Sequence, residues 1–286
     1  MAIVDAMPGG DRLGATMLGA GRAQFVVWAP EATSLALWFD GRRHPMTADD
    51  DGYWRTTVDG VEHGDHYRFV VDGDELPDPA SRWQPEGVHG PSAVVDRSVF
   101  RWHDDAWSGV ELDDTVLYEL HVGTFTAEGT FDAAIRHLPR LRDLGVTTIE
   151  VMPVAAFPGI RNWGYDGVFP FAVQHSYGGP DGLAHFVDAA HRFGLAVVLD
   201  VVYNHMGPEG NVLARYGPYF TDAYRTPWGD AMNVAGAGSD HVRRFFIENA
   251  VGWIRDFHLD GLRLDAVHAI IDPTPSPFVQ ELTAAV

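Results

Sequence analysis

The chain is 286 residues long, 46% hydrophobic and 12% aromatic, enough for one large or two medium domains with a sizeable core. It has no cysteine and no lysine, which excludes disulfides, thiolate nucleophiles, Cys-ligated metals and a Walker-type phosphate loop. The net charge of −20, from 20 arginines against 40 acidic residues, speaks against nucleic acid or an anionic membrane as partner and suits a neutral ligand.

Met1 to Gly10 has no basic n-region or long apolar run, and no stretch is long enough to span a bilayer. A soluble, cytoplasmic protein is expected. From Gln24 to about Val95, short strands alternate with turns. Gln24–Trp28 precedes Ala29-Pro30; Leu35–Phe39 ends at Asp40-Gly41, a tight hairpin signal; Tyr53–Val58 and Tyr67–Val71 follow, the latter ending at Asp72-Gly73. This spacing predicts a small Ig-like β-sandwich over residues 1–95. Its aromatics (Trp28, Trp38, Tyr53, Trp54, Tyr67) are expected in the core rather than on a sugar platform. Pro77 to Pro91 is a loop rich in proline and polar residues. Residues 96–113 are expected to be a linker packed across the domain interface.

From Val116 strands alternate with helices, the signature of βα units, here assigned to residues 114–286. Val116–Val122 is the first strand. The helix after it has Thr130 as N-cap and Gly145 as C-cap, with a kink expected at Pro139. Thr147–Pro153 is the second strand, with a long loop to about Pro180. A helix carrying Leu183, Phe186, Val187, Ala190 and Phe193 then closes at Gly194. Leu195–Val202 is apolar almost throughout, as a strand buried on both faces should be. A second long loop, Tyr203 to Gly238, leads to a helix with Ser239 as its cap. The fourth strand is the short, buried-looking strand in the stretch Asp260–His268, ending at Asp265, and a last helix starts at Ser276-Pro277 with Pro at N1. Four βα units make half of a (β/α)8 barrel, so either the chain is cut mid-barrel or it is a half-barrel that must pair. The short, uncapped last helix favours the former.

In such folds the chemistry sits at the C-terminal ends of the strands. Asn162–Asp166 follows the second strand; Asp200, Asn204 and His205 follow the third; Arg263, Asp265 and His268 follow the fourth. Alternation places Arg263 and Asp265 on one strand face. That pair is either a structural ion pair or a nucleophilic carboxylate kept ionised by the arginine beside it. Aromatics, two carboxylates, an imidazole and a guanidinium on one rim suit a sugar. His205 and His268 lack the spacing and the third ligand of a zinc site, and no metal is expected.

Asp200-Val201-Val202-Tyr203-Asn204-His205 and Gly261-Leu262-Arg263-Leu264-Asp265 resemble two signature regions of the α-amylase family of glycoside hydrolases. Further stretches, among them Asp78–Arg82, Gly87–Ser92, Arg161–Gly167, Gly217–Asp222, Tyr224–Gly229 and Leu264–Ile270, resemble the branch of that family that acts on maltooligosyl trehalose. The resemblance covers nearly the whole chain. It implies Asp265 as the nucleophile and Arg263 as the group that keeps it ionised. His205 then binds the sugar at the cleaved bond and Tyr165 stacks beneath it. Asp200 and Asn204 match a structural aspartate and a position that ligates calcium in calcium-dependent members, though no cofactor is carried over. His268 and Trp228 are added as substrate-binding candidates, Trp228 near the trehalose end.

A retaining glycosidase needs a second carboxyl as acid/base. The family places it after the fifth strand, and these residues include no such position. The chain is therefore expected to carry the nucleophile half of a site and to have little activity by itself. The substrate implied is maltooligosyl trehalose or a related α-glucan. Two other readings stay open: an α-glucan branching transferase, and a non-catalytic carbohydrate-binding half-barrel. Nothing in the sequence speaks to oligomeric state.

Overall fold

The computed structural model describes residues 12–286, so the reading of Met1–Gly10 lies outside the described residues. Nine strands come first: β1 (Gly14–Gly19), β2 (Arg22–Trp28), β3 (Leu35–Phe39), β4 (Arg42–Pro45), β5 (Thr47–Ala48), β6 (Tyr53–Asp59), β7 (His66–Val71), β8 (Asp74–Leu76) and β9 (Ser92–Ala93). They form two antiparallel sheets, ordered β1-β2-β6-β5 and β4-β3-β7-β8 with β9 on β7. The sandwich core includes Phe25, Leu37 and Phe69, all fully buried. Asp40-Gly41 and Asp72-Gly73 have positive φ at both positions, as a two-residue hairpin turn matched to the strand twist requires. Of the aromatics expected in the core, Trp28, Tyr53 and Tyr67 are buried, while Trp38 and Trp54 are half-buried.

Trp28 and Tyr53 also join the sandwich to the rest of the chain. Trp28 stacks on His241 at 4.8 Å, and the Tyr53 hydroxyl lies 2.9 Å from His241 Nδ1. The loop from Pro77 is more deeply buried than its polar composition predicts: Asp78, Ser81, Arg82 and Gln84 are all buried. Asp78 explains this, accepting from the Tyr67 hydroxyl at 2.6 Å and from Ala80 N at 2.8 Å. Burial still pushes its carboxyl up to about 6.

The second unit contains β10 (Leu117–Leu120), α1 (Val122–Phe125), α2 (Phe131–Ile135), α3 (Leu138–Leu144), β11 (Thr148–Val151), β12 (Ala155–Ala156), β13 (Phe169–Val173), α4 (Gly179–Arg192), β14 (Ala196–Val201), β15 (Phe220–Thr226), β16 (Gly229–Met232), α5 (Ser239–Phe257), β17 (Gly261–Leu264) and α6 (Phe278–Ala285). Strands β10, β11, β14 and β17 pair in parallel in that order, as the first four βα units of a (β/α)8 barrel. Val197, Leu199 and Val201 pack against the helices. On the other face, register aligns Glu119 with Glu150 and Asp200 with Arg263.

Several local expectations change. The helix expected to kink at Pro139 is two helices, because Pro139 sits in the first turn of α3, where its missing N–H costs nothing. Thr130 caps α2 by accepting from Ala133 N, and Gly145 closes α3 in the left-handed conformation. Ser239 is the first residue of α5 and makes no side-chain cap; Gly238, at φ +74°, holds the cap position. Pro277 likewise precedes α6 instead of opening it. The fourth strand is four residues long and half-exposed, not buried, because β14 is its one strand neighbour among the described residues. The two long loops hold the hairpins β12–β13 and β15–β16.

The 96–113 segment is fastened to the barrel by rings and charges. Trp102 stacks on His258 at 3.8 Å and Trp107 on His191 at 4.7 Å. Asp104 Oδ2 lies 2.8 Å from both His191 Nδ1 and His258 Nδ1, and Asp260 Oδ2 lies 3.0 Å from His191 Nε2. Burial opposes the charge on His191, but the carboxylates on both sides of its ring outweigh it and raise its pKa. Burial likewise opposes the charge on Asp104, and the two histidines overcome it and lower its pKa. The His191 contribution to stability is therefore complete below the ordinary histidine value of 6.5 and lost as pH rises through its raised pKa. The Asp104 contribution is present above 3.8 and lost as pH falls through its lowered value. His191→Gln should thus destabilise most near pH 5.5, with the gap to wild type narrowing by pH 8.5 in thermal unfolding. A gap independent of pH would sink the ion-pair account.

Candidate active site at the C-terminal ends of the parallel strands

Asp200 ends the apolar run of β14, so its carboxylate is buried at the edge of the core. Such a charge needs a partner. Register on β17 supplies Arg263, whose Nη1 donates to both Asp200 oxygens at 3.0 Å and to Asp265 Oδ1 at 2.9 Å. Its Nε lies 3.9 Å from Glu150 Oε1. The Tyr165 hydroxyl adds a 3.0 Å bond to Asp200. Burial pushes the Asp200 carboxyl up to about 6 against the pull of Arg263. Burial opposes the Arg263 charge too, but its two carboxylates prevail and raise its pKa.

Asp265 follows the last residue of β17, and Ala266 then turns left-handed at φ +39°, an unusual conformation for a residue with a Cβ. Asn204 holds the turn. Its Nδ2 donates to the Asp265 carbonyl at 2.8 Å and to Asp265 Oδ2 at 3.1 Å, while its Oδ1 faces His205 Nδ1 in a short contact. His205 Nε2 meets the Tyr165 carbonyl at 2.8 Å, so the ring is held between two oxygens. Trp228, at the turn of the β15–β16 hairpin, stacks on the His205 ring at 4.9 Å and 15°.

The structure therefore brings together seven of the eight candidates: Asp200, Arg263, Asp265, Asn204, His205, Tyr165 and Trp228. His268 is not among them. It lies on a short 3-10 turn, Val267–Ala269, exposed, with no hydrogen bond or ion pair to any described residue. Its one link to Asp265 in the sequence is that it follows the fourth strand, which ends at Leu264.

His121, Tyr177 and Glu150 belong to the neighbourhood and were not singled out from the sequence. His121 directly follows β10, and its Nε2 lies 2.8 Å from the Asn162 carbonyl and 3.0 Å from the Tyr177 hydroxyl, so it anchors the loop that carries Tyr165. Its position after the first parallel strand was the available signal. Asn162 braces the same loop internally, taking Gly164 N at 2.7 Å and donating to Asp166 at 2.8 Å. Two glycines allow the backbones to close up. A Cβ on Gly164, at φ +99°, would sit 2.1 Å from the Pro153 carbonyl oxygen, and one on Gly207 would sit 2.1 Å from that of Asp166. Beside Tyr165 lies an open cavity of about 670 Å³, bounded by His121, Ile160 and Trp163, large enough for sugar rings.

A carboxylate at a strand end, held by a guanidinium and an amide beside aromatic rings, can act as a nucleophile toward a bound sugar. Comparisons with known proteins identify the family. The family of the α-amylase catalytic domain matches residues 84–225, and carbohydrate-binding module 48, the isoamylase N-terminal domain, matches residues 12–85. The malto-oligosyltrehalose trehalohydrolase of Saccharolobus solfataricus is 52% identical over 92% of this chain and 47% of its own length. The 1,4-alpha-glucan branching enzyme of Vibrio parahaemolyticus is 36% identical over 87% of this chain and 36% of its own. A solved structure provisionally assigned as an α-amylase, from Salmonella typhimurium, is 46% identical with a TM-score of 0.91, covering 95% of this chain and 46% of that one. The chain spans about half the length of the trehalohydrolase and of the Salmonella protein. With a module-48 sandwich, the opening units of the catalytic barrel and this degree of identity, the chain belongs to the α-amylase family of glycoside hydrolases.

Proposed function

We propose that this chain supplies the nucleophile side of a retaining site that cleaves the α-1,4 bond next to the terminal trehalose unit of maltooligosyl trehalose and releases trehalose. The observation that carries the reading is Asp265 at the mouth of the parallel sheet, held between Arg263 and Asn204. The closer identity to a trehalohydrolase than to a branching enzyme supports the substrate and the choice of water as acceptor.

In this mechanism Asp265 attacks the anomeric carbon and the bond to the leaving oxygen breaks, giving a covalent glycosyl-enzyme. A second carboxyl protonates the leaving oxygen, then takes a proton from the water that hydrolyses the intermediate. We assign that carboxyl to a part of the protein outside these 286 residues. Arg263 and Asn204 each donate to one oxygen of Asp265 and fix its orientation for the attack. Tyr165 and Trp228 offer ring faces to the sugar, and His205 is held between them.

The test is product analysis with maltooligosyl trehalose, using the protein at the full length of its relatives. Free trehalose is the expected product. New α-1,6 links would make it a branching transferase, and glucan binding without bond cleavage would leave only a carbohydrate-binding role.

A further inference from the structure

Away from the candidate active-site residues, where the sandwich meets the end of α5, three arginines gather in a protein whose net charge is −20. Arg12, Arg82 and Arg97 line a cavity of about 250 Å³ together with Thr16 of β1 and the Asp96–Ser98 turn. Their acidic partners do not use up their donors. Arg12 pairs with Asp256 through Nη2, while Arg97 lies over the Phe257 ring at 4.0 Å and reaches only the Asp256 carbonyl, at 3.4 Å. Arg82 Nη1 is spent on the carbonyls of Leu13 and Ala15, at 2.7 and 3.3 Å, and its Nη2 stands 3.8 Å from Glu248, too far for a hydrogen bond. Asp96, the acidic residue in the lining, is engaged by the Ser98 amide and hydroxyl at 2.9 and 2.7 Å.

This leaves Arg12 Nε, Arg82 Nη2, Arg97 Nε and the Thr16 hydroxyl buried without a hydrogen-bond partner among the described residues, with Arg82 only 6% exposed. Buried donors of this kind are costly and rare in folded proteins. We propose that the cavity binds a phosphoryl anion, as inorganic phosphate or as a sugar monophosphate, held by Arg12, Arg82 and Arg97 with Thr16 as a further donor.

Guanidinium forks match the tetrahedral oxygens of this group better than they match chloride. The overall negative charge does not forbid it, because contacts of a few ångströms in a partly buried site outweigh screened charges farther away. The three cations also crowd one another. Burial, with the charges of Arg82 and Arg12 adding to it, draws Arg97 down to about 9, and burial and Arg12 lower Arg82. An anion there would relieve both the crowding and the orphaned donors. It would also bridge β1, the buried loop that carries Arg82 and the start of the 96–113 segment. This site is separate from the sugar-cleaving reading and does not depend on it.

The experiment is isothermal titration of the full-length protein with inorganic phosphate and, separately, glucose 6-phosphate, against sodium chloride at matched ionic strength. Saturable one-to-one binding is expected, weakened at least tenfold in Arg97→Met and severalfold in Thr16→Val, which keeps every charge and the shape of the side chain. Binding of phosphate alone identifies the free ion as ligand; tighter binding of the ester identifies the sugar monophosphate. No binding beyond the chloride control, or binding unchanged in a folded Thr16→Val protein and in Arg97→Met, overturns the proposal.

Discussion

Asp265→Asn, made in the protein at the full length of its relatives, should lower kcat by roughly 10⁴-fold or more, the scale seen when a catalytic nucleophile is removed. The amide keeps the shape of the carboxylate, its oxygen can still accept from Arg263, and Asn204 keeps its bond to the main-chain carbonyl, so the fold and sugar binding should persist while the glycosyl-enzyme no longer forms. The diagnostic pattern is a collapse of kcat with the thermal midpoint and glucan binding little changed. A variant retaining more than a few per cent of wild-type kcat would show that Asp265 is a structural partner of Arg263, the other reading its position allows.

Glu248→Leu should have the largest effect on stability. Glu248 is 1% exposed on α5, accepts from Leu13 N at 2.7 Å, and lies 3.8 Å from Arg82 and 3.7 Å from Arg244. Burial pushes its carboxyl up while those two arginines pull it down. Removing one member of a buried charge cluster leaves the remaining charges desolvated and undercompensated, at a cost of about 3–5 kcal/mol. The measurement is the urea midpoint of the variant, with Glu248→Gln, which can still accept from Leu13 N, expected to lose less. A loss below about 1 kcal/mol for the leucine variant would mean that water or a rearranged arginine satisfies the cluster.

What could be read from the sequence divides along physical lines. The run Ala196–Val201 announced a strand buried on both faces because burial there demands apolar side chains throughout, and the strand is found between β11 and β17. Thr130 and Gly145 marked helix ends because capping and left-handed backbone select few residue types. Ser239 misled by one position, since Gly238 supplies the non-helical conformation through its backbone and needs no side chain. The hairpins β12–β13 and β15–β16 went unseen because they lie outside the main sheet, where periodicity is weak. In the candidate site, alternation placed Arg263 beside Asp265 and the topology placed both near Asp200. It could not place His268, since alternation carries no information past the end of a strand. Arg82 and Glu248 were invisible for another reason: each is an ordinary charged residue in a turn or helix, and only the packing of two domains makes them neighbours.

The backbone closure at Gly164 and Gly207 has a consequence for engineering the rim. The Gly207 Cα rests against the Asp166 carbonyl, and His205 grips the carbonyl of Tyr165, so the segments after β11 and β14 interlock through main-chain atoms. Grafting one segment from a homologue without the other would pair mismatched surfaces, even if every side chain facing the sugar were retained. Residues 162–166 and 204–207 are thus a single exchangeable cassette, and chimeras meant to alter sugar preference should transplant them together.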